Sequence, residues 1–149
     1  MKLADTVQSI LRSKGGQVWS VSPDTSVFDA LAKMADHEIG ALLVISDNRP
    51  VGIFSERDYA RKVILQGKSS KLLQVREIMA SPVISVAPHN TVDDCMNLMT
   101  ANRIRHLPVV DKDRVVGIVS IGDLVKWIIS AQDDTIHQLE NYITGKYPA

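Results

Sequence analysis

The chain has 149 residues, long enough for one compact domain or two small halves sharing an interface, and too short for two large independent domains. Hydrophobic residues at 45% and charged residues at 23% place it among folded globular proteins and away from disordered or fibrous ones. Lys plus Arg and Asp plus Glu balance at 17 each, so no overall field draws the chain to a phosphate backbone or an anionic bilayer, and any anion site has to be local.

The N-terminal stretch MKLADTVQSILRSKGG carries Asp5 and several polar residues where an export signal needs an apolar core. No later stretch approaches about 18 uncharged apolar residues, so no membrane span is expected. The one cysteine leaves no intramolecular disulfide, which fits a reducing cytoplasm.

Sliding the chain by 65 residues aligns Val18 to Tyr59 with Val83 to Leu124 without a gap, with identity at 16 of 42 positions. The matches include Pro23/Pro88, Gly52/Gly117, Ser55/Ser120 and Asp58/Asp123. In chain order, each copy opens on a short β-like run (18–21; 83–86) stopped by Pro23 or Pro88, whose fixed φ and missing N–H end a strand. A helix follows: Ser26-x-x-Asp29 and Thr91-x-x-Asp94 have capping-box spacing. Val27/Leu31/Met34 and Val92/Met96/Met99 then form one apolar stripe on each helix. Two strands come next, 41–45 with 51–54 and 107–110 with 115–119, joined by turns rich in Asp and Asn. A second helix begins near Ser55 and Ser120.

The order β-α-β-β-α, twice, predicts a mixed α+β (α/β) fold whose halves pack sheet to sheet about a pseudo-two-fold axis, because each half leaves one sheet face uncovered. The expected division is an N-terminal segment (1–13), a first motif (14–66), a linker (67–79) within a connection that is polar and flexible over 66–70, a second motif (80–131) and a C-terminal helix or tail (132–149).

The repeat, with GIFSERD (52–58), GIVSIGD (117–123) and RHLPVVD (105–111), resembles a tandem pair of CBS motifs over roughly residues 14–130. GIFSERDYARKVILQGKSS is similar to small bacterial stand-alone modules of this kind. The resemblance implies a regulatory, signal-transducing module that binds AMP, ADP, ATP, NAD(H) or S-adenosylmethionine between its motifs. It also implies a disc-shaped homodimer that acts on an effector protein the sequence does not name.

Ser55/Asp58 and Ser120/Asp123 are open to two readings. As helix caps they offer acceptors to free N–H groups of a first helical turn. As a ligand site, the carboxylate takes the two O–H groups of a ribose diol while the Ser and helix end approach phosphate. Carried onto this chain, the resemblance implies a first site of Ile53, Ser55, Arg57 and Asp58, with Val83, Ile84 and Ile104 as an adenine slot and Arg76 near phosphate. It implies a second site of Ile118, Ser120, Gly122 and Asp123, with Val18, Trp19, Ile39 and Gly40 from the first copy. Lys14, Arg105 and His106 would form its cationic end. Arg105-His106 replaces Gly40-Ala41, and Ile121-Gly122 replaces Glu56-Arg57, so the two sites are expected to be inequivalent.

The remaining candidates read as structural. Cys95 aligns with Ala30 as a small buried hydrophobe, the methionines as core filler, Trp127 as an interface residue, and Ile136, Leu139, Tyr142 and Ile143 as one face of a capping tail. His37, His89 and His137 lack metal-ligand spacing, so no metal is expected. No catalytic constellation stands outside positions the repeat explains, so no enzyme is expected. Neutral charge and 5% aromatics argue against a nucleic-acid module. A dimerisation scaffold with vestigial sites is the other alternative.

Overall fold

The computed structural model describes residues 5–143. Helix α1 (Val7–Lys14) starts at Thr6, whose hydroxyl accepts the Ser9 N–H, and buries Val7, Ile10 and Leu11. The first repeat supplies β1 (Ser20–Val21), α2 (Val27–His37), β2 (Ala41–Ser46), β3 (Arg49–Ser55) and α3 (Glu56–Tyr59), which runs on into a π turn over Ala60–Ile64. A 3-10 turn, Val75–Glu77, precedes the second repeat of α4 (Val92–Asn102), β4 (His106–Asp111), β5 (Arg114–Ser120) and α5 (Ile121–Ile143).

The repeat recurs in detail. Both helix–strand junctions pass through a left-handed residue, Glu38 at φ 53° and Arg103 at φ 54°. Both hairpins turn through two left-handed residues, Asp47-Asn48 and Lys112-Asp113, the two-residue geometry that matches strand twist. Thr91 and Asp94 form a complete capping box, whereas at α2 only the Ser26 half is made. The opening strands are shorter than expected. β1 pairs parallel to β2 only through Ser20 and Val21, and its counterpart is a single bridge between Val86 and Val109. Val18 lies at the open end of the pair, where Trp19 O still accepts the Leu43 N–H at 3.3 Å.

Each half has its own core, and neither core is built by one repeat alone. Val27, Met34, Leu42, Phe54 and Val63 enclose Val75 and Ile78 from the segment before the second repeat. Val92, Met99, Leu107, Val119 and Leu124 enclose Val7, Ile10 and Leu11 from the segment before the first. The exchange is symmetric to the atom. Val7 N bonds Asn90 O and Gln8 N bonds Pro88 O, while Val75 N bonds Thr25 O and Arg76 N bonds Pro23 O. The return bonds match too, Val92 N to Asp5 O and Val27 N to Leu73 O. Residues 67–79 are therefore a structural strut as well as a connection. The sheets of the two halves meet through β3 and β5.

Two glycines make this interlock possible. A Cβ on Gly117 would stand 2.6 Å from Leu11 Cδ2, and one on Gly52 would stand 2.5 Å from Met79 Sδ. The division drawn at 131/132 falls inside α5, which is one continuous helix, and the division at 13/14 falls inside α1. Trp127 is partly buried against the second core, and its Nε1 donates to Asp5 Oδ2 at 2.9 Å. Cys95 is buried in the same core, as Met34 and Met99 are in theirs. Ile136 and Leu139 are exposed, and the side chains of Tyr142 and Ile143 lie outside the described residues.

Gly117→Ala drives a methyl into Leu11 and is expected to cost about 1–3 kcal/mol, the usual range for overpacking a filled site. The urea midpoint should fall with an unchanged slope.

Candidate functional site

Each repeat's third strand ends in Ser-x-x-Asp, and each turn folds into a closed capping arrangement. Asp58 Oδ2 accepts from Ser55 N–H at 3.1 Å and from the Ser55 hydroxyl at 3.0 Å, and Asp58 N–H donates back to Ser55 Oγ at 3.2 Å. Asp123 Oδ2 accepts from Ser120 N–H at 2.8 Å, and Asp123 N–H donates to Ser120 Oγ at 3.1 Å. The cap reading thus holds at both turns. Both carboxylates nonetheless stay partly open, 17% and 24% exposed, and both face clefts.

The first cleft encloses about 600 Å³. Ile53, Ser55, Arg57 and Asp58 line it from one half, and Val83, Ile84 and Ile104 line it from the other. Arg76 does not: its guanidinium pairs with Asp24 and donates to Gln74, outside the cleft, because the exchanged segment carries it away. Arg61, Arg103 and Arg105 complete the wall, with Glu56, Gly40, Ala80, Pro82 and His106. Arg61 lies one helical turn beyond Arg57, a spacing that would have found it. Arg103 and Arg105 needed the α4–β4 junction, whose left-handed Arg103 sets the chain's direction into β4.

The second cleft is smaller, about 370 Å³. Lys14, Trp19, Ile39, Gly40, His106, Ile118, Ser120 and Asp123 line it, together with Gln17 and Ala41. Three expected residues are not on its wall. Val18 and Gly122 do not line it, and Arg105 belongs to the first cleft. Arg105 sits in the bend that precedes β4, on the wall of the first cleft. Gly40 and His106 border both clefts, which makes them a shared partition. Trp19 is braced by His37, the rings stacked at 3.5 Å.

The electrostatics of the clefts differ. In the second, Lys14 Nζ sits 2.7 Å from Asp123 Oδ2 and 2.9 Å from Ile118 O. Burial alone would raise the Asp123 carboxyl, but the bonds from Lys14 and Ser120 outweigh it and hold the carboxyl below its ordinary value. Burial lowers the His106 pKa, Asp123 opposes that, and Lys14 and Arg105 reinforce it. In the first cleft, Lys62 reaches Asp58 Oδ1 at 3.3 Å from one turn along the helix. Burial pushes the Cys95 thiol up to about 11, which keeps it protonated and inert. No group of His, Cys, Asp and Glu among the described residues is arranged to hold a metal ion, and no described helix is long and apolar enough to cross a membrane.

Two interlocked repeats, each presenting a carboxylate turn to the first strand and mid-strand entry of the other, define a paired-motif regulatory module. The chain belongs to the CBS domain family, whose profile matches residues 7–64 and 75–130. Among relatives, the mitochondrial CBS domain-containing protein CBSX3 of Arabidopsis thaliana is 40% identical over 152 residues, covering 95% of this chain and 73% of that protein. Among solved structures, the CBS domain protein NE2398 is 51% identical with a TM-score of 0.80, covering 84% of this chain and 98% of its own. The CBS domain pair of MJ0100, solved with 5-methylthioadenosine and S-adenosyl-L-methionine, is 28% identical with a TM-score of 0.76, covering 86% of this chain and 98% of its own.

His106 makes stability pH-dependent. The unfolded chain takes up its proton near the ordinary value of 6.5 while the folded chain resists, so stability present above that value is lost as pH falls toward the lower folded value. Urea midpoints between about pH 8 and about pH 5 should drop more for the wild type than for His106→Gln.

Proposed function

We propose that this chain senses adenosine-containing ligands through its two clefts and signals their occupancy by changing shape for another protein. The observation that carries the reading is the repeated Ser-x-x-Asp turn, twice placed on the wall of a cleft whose opposite wall comes from the other repeat. A carboxylate suits a ribose diol because its two oxygens can each accept one O–H. Val83, Ile84 and Ile104 offer the flat apolar slot that adenine needs, and Trp19, Ile39 and Ile118 offer another. The neighbour that binds methylthioadenosine and S-adenosylmethionine supports the same ligand class.

The clefts are read as unequal. Arg57, Arg61, Arg103 and Arg105 make the first suited to the phosphates of ADP, ATP or NAD(H), and hostile to the sulfonium of S-adenosylmethionine. The second, with one lysine already paired, suits a ligand of lower charge. The role read for both clefts is the regulatory one that the CBS family supports. Val125 and Ile129 on the exposed side of α5 support a homodimer, and the inert thiol is compatible with a cytoplasmic setting.

A thermal-shift panel of AMP, ATP, NAD(H) and S-adenosylmethionine tests the reading, since a ligand held only by the folded chain at a hundred times its Kd adds about 2.7 kcal/mol. No shift with any of them would overturn it. Asp58→Ala should lose about 1 kcal/mol with its cap, remain folded, and no longer bind at the first cleft in calorimetry. Arg103→Ala with Arg105→Ala should weaken ATP by about tenfold more than AMP.

A further inference from the structure

We infer that Lys14 is a built-in occupant of the second cleft that makes this cleft choose anionic nucleotides over neutral nucleosides. This rests on the reading of the cleft as an adenosyl site. The exchanged segments correspond through Val7/Val75, Ile10/Ile78 and Leu11/Met79, and by that register Lys14 stands where the other segment has Pro82. The correspondence then breaks, because Gly15-Gly16-Gln17 has no counterpart before Val83. Gly15 takes φ 94°, a conformation that favours glycine, and the chain leaves the helix there.

The consequence shows at one carbonyl. Ile53 O accepts the backbone N–H of Ala80 at 2.9 Å, whereas its equivalent, Ile118 O, accepts the ammonium of Lys14 at 2.9 Å. In the second half a lysine head therefore replaces a backbone pairing. The same ammonium lies on Asp123 Oδ2 at 2.7 Å, and that oxygen also accepts from Ser120 N–H at 2.8 Å. A carboxylate oxygen has two acceptor directions, so both are taken. A diol cannot bond Oδ2 until Lys14 lets go. The ammonium has three donors, so it can keep Ile118 O while turning from Asp123 to an incoming phosphate. A neutral nucleoside offers it nothing in return, and an AMP-like ligand does.

The fluorescence of Trp19, which lines this cleft, reports binding once Trp127→Phe has removed the other tryptophan of the chain. Adenosine and AMP are titrated into this chain and into its Lys14→Met and Lys14→Arg forms. Lys14→Met is expected to bind adenosine more tightly and AMP more weakly, so that the preference for AMP falls by about tenfold. Lys14→Arg should restore most of it. An unchanged preference in Lys14→Met, with both ligands still binding, overturns the role of Lys14 and leaves the cleft intact. If neither ligand perturbs Trp19 in any form, the adenosyl reading of this cleft falls and the inference with it.

Discussion

Everything in this molecule depends on the exchange of the two segments that precede the repeats. A β-α-β-β-α unit of this size leaves a gap in its core, and here each gap is filled by a piece of chain that leads into the other unit. Leu11 over Gly117 and Met79 over Gly52 are the contact points, and they work only because those two positions have no side chain. The hydrogen bonds of Val7, Gln8, Val75 and Arg76 satisfy backbone groups that would otherwise stand unpaired at the starts of short helices. Fixing both segments fixes the halves against each other, and the spaces left between them are the clefts.

The same exchange makes the clefts unequal. Equivalent turns place Asp58 and Asp123 alike, yet Asp58 is met by Lys62 from its own helix, whereas Asp123 is met by Lys14, which arrives from outside the repeat. The linker brings Ala80 and Pro82 and pairs as backbone. The N-terminal helix runs to Lys14 and ends in an ammonium. Arginines from α3, its continuation and the α4–β4 junction gather on the first side only. His106 and Gly40 stand between and belong to the walls of both clefts.

Much of this was legible in order along the chain. The hairpins, the helices and the caps at Ser26, Thr91, Ser55 and Ser120 followed from patterns a few residues long, repeated 65 residues apart, whereas the clefts at Asp58 and Asp123 were implied by the family resemblance. Most of the lining residues that the family resemblance implied stand in their clefts. Arg105 stands in the first cleft, from the bend that precedes β4. Arg76 was drawn toward phosphate by its charge, and the strut that carries it instead pairs it with Asp24.

By itself the sequence determined the repeat, the elements within it and the matched carboxylate turns, because these rest on local periodicity and local hydrogen bonding. The tertiary structure alone decided which segment completes which core, and that Lys14, expected at the cationic end of the second cleft, would set its ammonium on Asp123 itself. Such pairings join residues as far apart as Lys14 and Asp123, where no spacing rule operates, and they are settled by which apolar side chain fits the gap a glycine leaves.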